Sequence, residues 1–324
     1  MSQTVLPLIS VVIPTYRRPD LLMERSLPSA LAQTYPNLEV IVVQDGGPDP
    51  ETEARLSALA DPRVRHVILE GNQGGATARN AGVQAAGGEW IAFLDDDDAW
   101  LPHKLERQLA LAGRSRFRWP VISSQWFTRT LEGDEPNLHR PLREGEPLGD
   151  YLLSRDQPSV RECGLTCSTL LVPRALLLQV PFTDGLPKHQ DTDWLLRAGA
   201  HPGVGVEVLQ EPAILYYFEA GRPQMSWNSR WAYSLEWAEG HYRAGRMSRR
   251  AYAGFLVSFV SPLAARTPTL KAFLTIGGRL LRLRPRLFEW PRFLMIWLLP
   301  DRLRARLFRR RADVRTGNSA HLKR

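Results

Sequence analysis

A chain of 324 residues with 44% hydrophobic and 23% charged residues has the composition of an ordinary globular protein, long enough for one large or two modest domains. The two cysteines, Cys163 and Cys167, are too few and too close for a disulfide framework, and their spacing is a poor zinc signature without partner ligands. The first apolar segment lacks a basic leader and a small-residue cleavage site, which disfavours a secretory signal. We therefore expect reduced thiols and a cytoplasmic location.

The net charge of +8 is concentrated near the C-terminal end of the sequence. Between residues 279 and 311, eleven arginines oppose only Glu289 and Asp301, so this stretch alone carries +9. The apolar runs at 255–260 and 293–299 fall far short of the roughly 20 residues that cross a bilayer. Arginine mixed with apolar clusters is typical of helices at an anionic membrane surface, but a solvated appendage or an oligomer contact remains open. Nucleic acid is not expected, because no recognisable nucleic-acid-binding fold is present.

The first hundred residues predict strands that alternate with helices. Residues 9–13 form a continuous apolar run closed by Pro14, which is typical of a buried parallel strand. The same reasoning predicts a doubly wound α/β sheet with mostly parallel strands. In chain order we expect a helix at 20–33, a strand at 38–43, a helix at 51–59, a strand at 64–69, a glycine-rich loop leading into a helix, and a strand at 90–94.

Chemistry-bearing residues follow three of these strands, namely Thr15-Tyr16, Asp45 and the run Asp95 to Asp98. Ligands of open α/β sheets bind beyond the carboxyl ends of the strands, so we expect one shared site there. Neighbouring carboxylates at about 5 Å repel by roughly 1 kcal/mol even in water. A hard divalent cation relieves that repulsion, and Mg²⁺ or Mn²⁺ commonly shares its remaining positions with phosphates. The pattern favours a metal–phosphate site over a solvated acidic turn.

The remainder of the chain gives weaker signals. Residues 114–162 have an irregular pattern rich in Pro and Gly, which indicates an acceptor-binding or variable region. Residues 166–172 predict one further strand and residues 191–198 the start of an amphipathic helix. Beyond residue 227 we expect mostly helix.

Four segments, taken together, resemble the family 2 glycosyltransferases and their GT-A nucleotide-sugar-binding fold. They are VVIPTYRRPDLL, LAQTYPNLEVIVVQDGG, GGATARNAGVQAAGGEWIAFLDDDDAWLPHKL and KHQDTDWLLRAG, and they cover about the first 200 residues in the family's order and spacing. The resemblance implies a GT-A domain over residues 1–225, with a nucleotide-sugar half at about 1–112 and an acceptor half at about 113–225. Residues 226–324 would then form a helical, basic extension.

The resemblance also implies which residues bind the nucleotide sugar. Pro14, Thr15, Tyr16 and Arg17 would hold the pyrimidine end, and Asp45 would accept hydrogen bonds from a uracil or thymine edge. The loop residues Gly74 and Gly75, with Arg79, would approach the nucleotide closely, because glycine lets backbone amides reach a ligand. This loop is not a Walker motif, since no Gly-Lys-Ser/Thr follows it. The residues alone leave open a core role for Tyr16, a turn role for Asp45 and a structural clamp at Arg79.

By the same resemblance, the family's Asp-x-Asp metal motif falls on Asp95-Asp96-Asp97. Asp97 would ligate Mg²⁺ or Mn²⁺ directly, with Asp95 and Asp96 near the metal and the ribose. Asp191 would act as the general base that deprotonates the acceptor hydroxyl. Its alternative is a first-turn acid favoured by the helix dipole.

The resemblance therefore implies an inverting, metal-dependent glycosyltransferase that uses a UDP- or dTDP-sugar and a carbohydrate or lipid-linked acceptor in bacterial surface polysaccharide or glycolipid assembly. We expect it in the cytoplasm, with the arginine-rich tail as a candidate contact for the inner face of the membrane or for a protein. A sugar nucleotidyltransferase is disfavoured, because Pro14-Thr15-Tyr16 stands where that class has a glycine-rich loop with Arg and Lys. A catalytically inactive, membrane-associated binding module is the non-enzyme alternative.

Overall fold

A computed structural model describes residues 6–155, 164–218 and 231–299 of the chain. The chain divides into two compact units, one formed by Met1–Leu152 and Arg161–Gln224 and the other by Leu153–Val160 and Met225–Arg324. The domain boundary at residue 225 and the division of the first domain into two halves stay predictions.

The first unit is built on a mixed sheet of nine strands. Their order is β3-β2-β1-β4-β8-β6-β9-β5, and β7 pairs with β6 at the side. The strands are β1 (Ile9–Thr15), β2 (Leu38–Gln44), β3 (Val64–Ile68), β4 (Trp90–Phe93), β5 (Ala99–Trp100), β6 (Trp119–Thr130), β7 (Gly133–Asn137), β8 (Leu171–Pro173) and β9 (Val204–Tyr217).

The first four strands are parallel, as predicted. Val11 of β1 pairs with Val40 of β2 on one side and with Ala92 of β4 on the other, and all three side chains are fully buried. Continuous apolar runs form these strands because helices cover both sheet faces. The carboxyl ends of β1, β2 and β4 therefore lie side by side, which places the three predicted site features at one edge.

The second half of the sheet contains antiparallel pairs. β8 runs antiparallel to β4, with Ile91 opposite Val172, and β5 runs antiparallel to β9, with Trp100 opposite Ile214. The region 114–162, whose sequence pattern is irregular, contains the long strand β6 and the hairpin strand β7 that the pattern did not predict; its role in acceptor binding stays a prediction. Polar but buried residues at the centre of β6 interrupt its apolar run and conceal it from a periodicity argument; they are Ser123, Ser124 and Gln125. The strand predicted at 166–172 is shortened to β8, and a 3₁₀ turn precedes it.

The predicted helices are present with small changes of boundary. The helix between β1 and β2 has a π-helical middle, and the helix after the glycine-rich loop lies directly on β1, because a Cβ at Gly82 would be 2.3 Å from Val12 Cγ1. The helices up to residue 199 are Pro19–Leu21 continuing through Leu22–Ser26 and Leu27–Leu31, then Pro50–Leu59, Gly75–Ala85, Lys104–Ala112, Leu148–Leu153, Arg174–Gln179 and Gln190–Gly199.

The described part of the second unit beyond residue 230 is helical, as predicted. Side chains of Ser248 and Thr269 cap two of its helices by accepting backbone N–H groups. Across the described residues, every helix is too short or too polar to traverse a bilayer. The helices are Trp231–Arg243, then Arg249–Phe255 continuing through the π-helical Leu256–Val260 and Ser261–Ala264, then Leu270–Leu283 and Glu289–Leu298.

Candidate active site

The four aspartates that follow β4 separate into a buried pair and a partly exposed pair. Asp96 and Asp98 are buried, whereas the side chains of Asp95 and Asp97 retain about a third of their exposure. Thr15 Oγ1 donates to Asp96 Oδ2 at 2.9 Å, and Ser168 Oγ donates to Asp98 Oδ2 at 2.6 Å. Protein donors therefore hold the buried pair in place, while alternate carboxylates along the turn stay open to solvent.

Within the described ranges, two guanidinium groups contact the acidic turn. Arg18 Nη1 lies 3.2 Å from Asp96 Oδ1 and 3.4 Å from Asp97 Oδ2, and Arg79 binds Asp95. Burial, together with the charge of Asp97, raises the pKa of Asp96 to about 6. Burial and the neighbouring carboxylates of Asp97 and Asp95 also raise the pKa of Asp98. Such a cluster favours binding of a further cation.

Arg79 bridges the acidic turn to the helix Gln190–Gly199. This arginine is buried, and it donates from Nη2 to Asp95 Oδ1 at 2.5 Å and from Nη1 to Gln190 Oε1 at 2.9 Å. The two contacts use separate arms of one rigid guanidinium fork, which fixes the distance between both partners. These contacts match the structural clamp that the residues alone left open for Arg79. Its prediction as a nucleotide ligand stays a prediction.

Asp191 lies in the first turn of the same helix and contacts Cys167. The Cys167 thiol donates to Asp191 Oδ1 at 3.0 Å, and the Cys167 backbone N–H donates to Oδ2 at 3.2 Å. Burial raises the pKa of Asp191, the Arg79 guanidinium opposes that rise, and Asp95 adds to it. A carboxylate with a raised pKa is suited to accept a proton near neutral pH.

Asp45, at the end of β2, holds the glycine-rich loop. Its Oδ1 accepts the Gln73 backbone N–H at 2.7 Å and its Oδ2 accepts the Gly74 backbone N–H at 2.8 Å. Gly74 has a φ of 88° and precedes the first residue of the helix Gly75–Ala85. The left-handed backbone at Gly74 suits glycine, and the contact with Asp45 orients the loop toward the strand ends.

Tyr16 and Arg17 project from the end of β1. Tyr16 is exposed, which excludes the core role left open for it, and its ring lies over Gly46, where a Cβ would be 2.4 Å from Tyr16 Cε2. Arg17 is exposed, has a φ of 52°, and places its guanidinium 5.6 Å from the Tyr16 ring centroid. Pro14 is partly buried. An exposed aromatic ring of this kind offers a flat surface for a base.

The structure thus joins the predicted residues into neighbouring groups at one sheet edge. Thr15 contacts Asp96, Asp45 holds Gly74, and Arg79 links Asp95 to the helix of Asp191. Trp194, on the helix of Asp191, is fully buried and stacks on Phe182 with centroids 5.5 Å apart.

A divalent cation fits the donor chemistry of this site. Among residues 6–155, 164–218 and 231–299, no group of three or more His, Cys, Asp or Glu side chains is placed to hold a metal unaided. Mg²⁺ and Mn²⁺ nevertheless need only one or two protein carboxylates where phosphates and water complete the shell. Asp95 and Asp97, with hard oxygen donors and partial exposure, meet that need.

Several site residues were not found by sequence reasoning. Arg18 was inside a quoted segment but had no assigned role, and Cys167 was interpreted only as a reduced thiol. Ser168 reaches the site because β8 pairs with β4 from far along the chain. Tyr216 of β9 has its pKa raised to about 12 by burial and by Asp98, Asp97 and Asp95, which places it near the acidic turn. No local sequence signal marks these long-range contacts.

Comparison with known proteins gives the context for this arrangement. The sequence model of glycosyl transferase family 2 matches residues 10–157. The chain is 43% identical over 106 residues to the succinoglycan biosynthesis protein ExoO of Rhizobium meliloti, covering 33% of this chain and 30% of that protein. It is 28% identical over 170 residues to the Escherichia coli UDP-Glc:alpha-D-GlcNAc-diphosphoundecaprenol beta-1,3-glucosyltransferase WfgD, covering 52% of this chain and 62% of that protein.

A solved structure has the same fold. S. aureus TarS 1-349, crystallised in complex with UDP-GlcNAc, superposes with a TM-score of 0.53 at 20% identity, covering 92% of this chain and 83% of that one. The chain spans less than two thirds of the length of both relatives. The match of residues 10–157 to the glycosyl transferase family 2 model agrees with the resemblance predicted from the sequence, and the fold shared with TarS confirms the predicted fold class.

Proposed function

We propose that the chain is an inverting, metal-dependent glycosyltransferase that moves a sugar from a UDP- or dTDP-sugar to an acceptor hydroxyl. The observation that carries this proposal is the Arg79 bridge between Asp95 and Gln190. It places a carboxylate cluster suited to a metal-bound diphosphate beside the helix that bears a carboxylate suited to a general base. A sugar transfer needs both groups within the reach of one substrate pair.

The donor proposal rests on the group at the ends of β1 and β2. Tyr16 presents an exposed ring, and each Asp45 oxygen keeps a lone pair beyond the single loop amide that it accepts. A pyrimidine stacked on the ring could therefore donate its N3–H to Asp45. The UDP-GlcNAc complex of TarS and the UDP-Glc named for WfgD support a uridine nucleotide.

In the proposed reaction the acceptor oxygen attacks the anomeric carbon as its proton passes to the Asp191 carboxylate. A bond forms between the acceptor oxygen and the anomeric carbon, while the bond from that carbon to the phosphate oxygen breaks. The electron pair leaves with the nucleoside diphosphate. Attack opposite the leaving group inverts the anomeric configuration. The contact with Cys167 holds the Asp191 carboxylate in one orientation for this transfer.

Asp97, with Asp95, would hold the Mg²⁺ or Mn²⁺ ion, which when bound supplies positive charge to the departing diphosphate. The chain's own residues prepare this position. Arg79 fixes Asp95 from the buried side, and Arg18 lies between Asp96 and Asp97. The buried Asp96 and Asp98 make the turn rigid through Thr15 and Ser168.

The proposed acceptor is a carbohydrate or lipid-linked hydroxyl in bacterial surface polysaccharide or glycolipid assembly. Succinoglycan biosynthesis is named for ExoO, and a diphosphoundecaprenol-linked acceptor is named for WfgD. A lipid-linked acceptor would require the enzyme to work at the inner face of the cell membrane, as a peripheral protein of the cytoplasm.

The Asp191→Asn variant tests this function. We expect the release of UDP from UDP-glucose or UDP-GlcNAc with a lipid-linked acceptor to fall by about 10²–10⁴-fold, because the acceptor proton loses its base. UDP affinity, measured by calorimetry, should stay within about twofold, because Asp191 is proposed to contact the acceptor hydroxyl and not the nucleotide. The matched control is Asp184→Asn, which alters an exposed carboxylate on the segment before the same helix. An Asp191→Asn protein with the parent's transfer rate would refute the base assignment.

A further inference from the structure

The helix Leu270–Leu283 has apolar residues on two faces. Its inward row is fully or nearly fully buried and consists of Ala272, Ile276, Leu280 and Leu283. A second row consists of Leu270, Leu274 and Leu281, which are 72%, 60% and 67% exposed. At 3.6 residues per turn these three leucines lie within about 40° of one another around the helix. Packing within the described chain explains the inward row and leaves the outward row exposed.

The next helix, Glu289–Leu298, repeats this arrangement. Phe293 and Ile296 point inward and are buried, whereas Leu294 and Leu298 are exposed on the opposite side. The two helices pack against each other, because Phe273 stacks on Phe293 with centroids 5.3 Å apart. The segment between them adds the exposed Leu287. We call these exposed residues the outer leucine face; its members are Leu270, Leu274, Leu281, Leu287, Leu294 and Leu298.

Basic residues border the outer leucine face, and exposed acidic residues are missing from its described segment. Residues 265–299 contain seven basic residues and one acidic residue, Glu289, which is buried. Lys271 and Arg282 flank the leucine row on the first helix, and Arg284 and Arg286 are exposed beside Leu287. An exposed apolar row bordered by cationic side chains suits a lipid bilayer, whose interior is apolar and whose anionic headgroups lie at its surface.

We propose that the outer leucine face docks on an anionic lipid bilayer. The leucines would enter the boundary between headgroups and acyl chains, and the flanking Lys271, Arg282, Arg284 and Arg286 would contact lipid phosphates. This assigns the membrane contact to named leucines on helices that begin at residue 270, whereas the sequence-based expectation rested on the arginine-rich stretch 279–311 as a whole. The inference rests on the membrane location given in the proposed function and deepens it, and its test requires neither the donor nor turnover.

Flotation of the full chain with lipid vesicles tests the inference. Vesicles of equal parts phosphatidylglycerol and phosphatidylcholine should bind the protein, and vesicles of phosphatidylcholine alone should bind it at least about tenfold more weakly. The variant Leu270→Ser/Leu274→Ser/Leu281→Ser should lower binding to the anionic vesicles by about 1,000-fold, at roughly tenfold for each of the three leucines removed from the interface. Its fold should be unchanged, since all three side chains are exposed.

The matched control replaces three exposed leucines of the first unit, Leu131→Ser/Leu138→Ser/Leu178→Ser, and should bind the vesicles like the parent. Equal binding by both triple variants would overturn the proposal. The parent protein could instead fail to bind vesicles and form a dimer in sedimentation that the Leu270/Leu274/Leu281 variant does not form. That result would overturn the proposal and assign the face to a second copy of the chain. UDP binding is measured in parallel on the same protein. Loss of vesicle binding with normal UDP binding would then count against the membrane contact alone, and not against the proposed donor site.

Discussion

Replacing Arg79 with methionine removes the bridge on which the proposed site depends. Breaking a buried ion pair by deleting one partner costs about 3–5 kcal/mol when both charges are fully buried. Asp95 keeps about a third of its exposure, so we lower that cost to about 2–3 kcal/mol. The lost bond to Gln190 adds about 1 kcal/mol. We therefore expect Arg79→Met to reduce the free energy of unfolding by about 3–4 kcal/mol.

Thermal unfolding followed by tryptophan fluorescence measures this effect. At about 2–4 °C per kcal/mol for a unit of this size, the transition of the first unit should move down by roughly 6–16 °C. Arg107→Met is the matched control, because Arg107 forms an exposed ion pair with Glu211 and its loss should cost about 1 kcal/mol or less. Arg79→Lys keeps the charge but not the two-armed geometry, so it should fall between parent and Arg79→Met.

A double-mutant cycle of Arg79→Lys with Gln190→Ala covers the case in which Arg79→Met does not fold. The cycle should give a coupling energy of about 0.5–2 kcal/mol, because both residues belong to one hydrogen-bonded network. Additive losses in the cycle, or an Arg79→Met transition that coincides with that of Arg107→Met, would refute the bridge between the acidic turn and the Asp191 helix.

Two other predictions follow from the same geometry. Gly46→Ala should weaken UDP binding about tenfold more than Gly47→Ala. Both glycines have φ values in the left-handed region, 103° and 83°, but only a Cβ at Gly46 would contact the Tyr16 ring. Equal Kd values for the two variants by calorimetry would contradict the role of Tyr16. The metal-free protein should lose stability as the pH rises from about 4 to 6, because folding raises the Asp96 pKa from 3.8 to about 6 and the folded state therefore binds this proton more tightly. At 1.36 kcal/mol per pKa unit, the loss of unfolding free energy is at most about 3 kcal/mol. Urea unfolding in EDTA should therefore show midpoints of the parent and of Asp96→Asn that diverge between about pH 4 and pH 6. Midpoints that change in parallel would contradict the raised pKa of Asp96.

The parallel half of the fold could be predicted because the hydrophobicity of its residues matches their burial. β1, β2 and β4 are buried on both faces, so continuous apolar runs mark them in the sequence. β6 could not be predicted in this way. Its central Ser123 is buried but satisfied by Thr169 Oγ1 at 2.8 Å, and Gln125 donates to the His139 carbonyl oxygen at 2.8 Å. Tertiary hydrogen bonds stabilise these polar residues in the sheet, and their partners cannot be predicted from the local sequence pattern.

The residues of the candidate site likewise include some that the sequence predicts and some that it does not. Thr15, Asp45 and Asp95 end strands that the sequence marks, so their convergence follows from parallel topology alone. The role of Asp191 came from family resemblance, since its first-turn position has an equally simple structural reason. Cys167 and Tyr216 reach the site through the pairing of β8 with β4 and of β9 with β5, which depends on residues more than 70 positions away. The spacing of residues along the chain does not predict those contacts.

Nucleotide binding to the full chain tests the central proposal most directly. Thermal shifts with UDP, dTDP, GDP and CDP, each with and without Mn²⁺, should give a Mn²⁺-dependent rise for UDP or dTDP, of about 5–10 °C at 100 times Kd, where binding adds about 2.7 kcal/mol. Asp97→Asn should lose the Mn²⁺ dependence while keeping its own unliganded transition near the parent's. No shift with any of the four nucleotides, or a shift that Mn²⁺ and Asp97→Asn leave unchanged, would contradict a metal-dependent nucleotide-sugar site at the acidic turn.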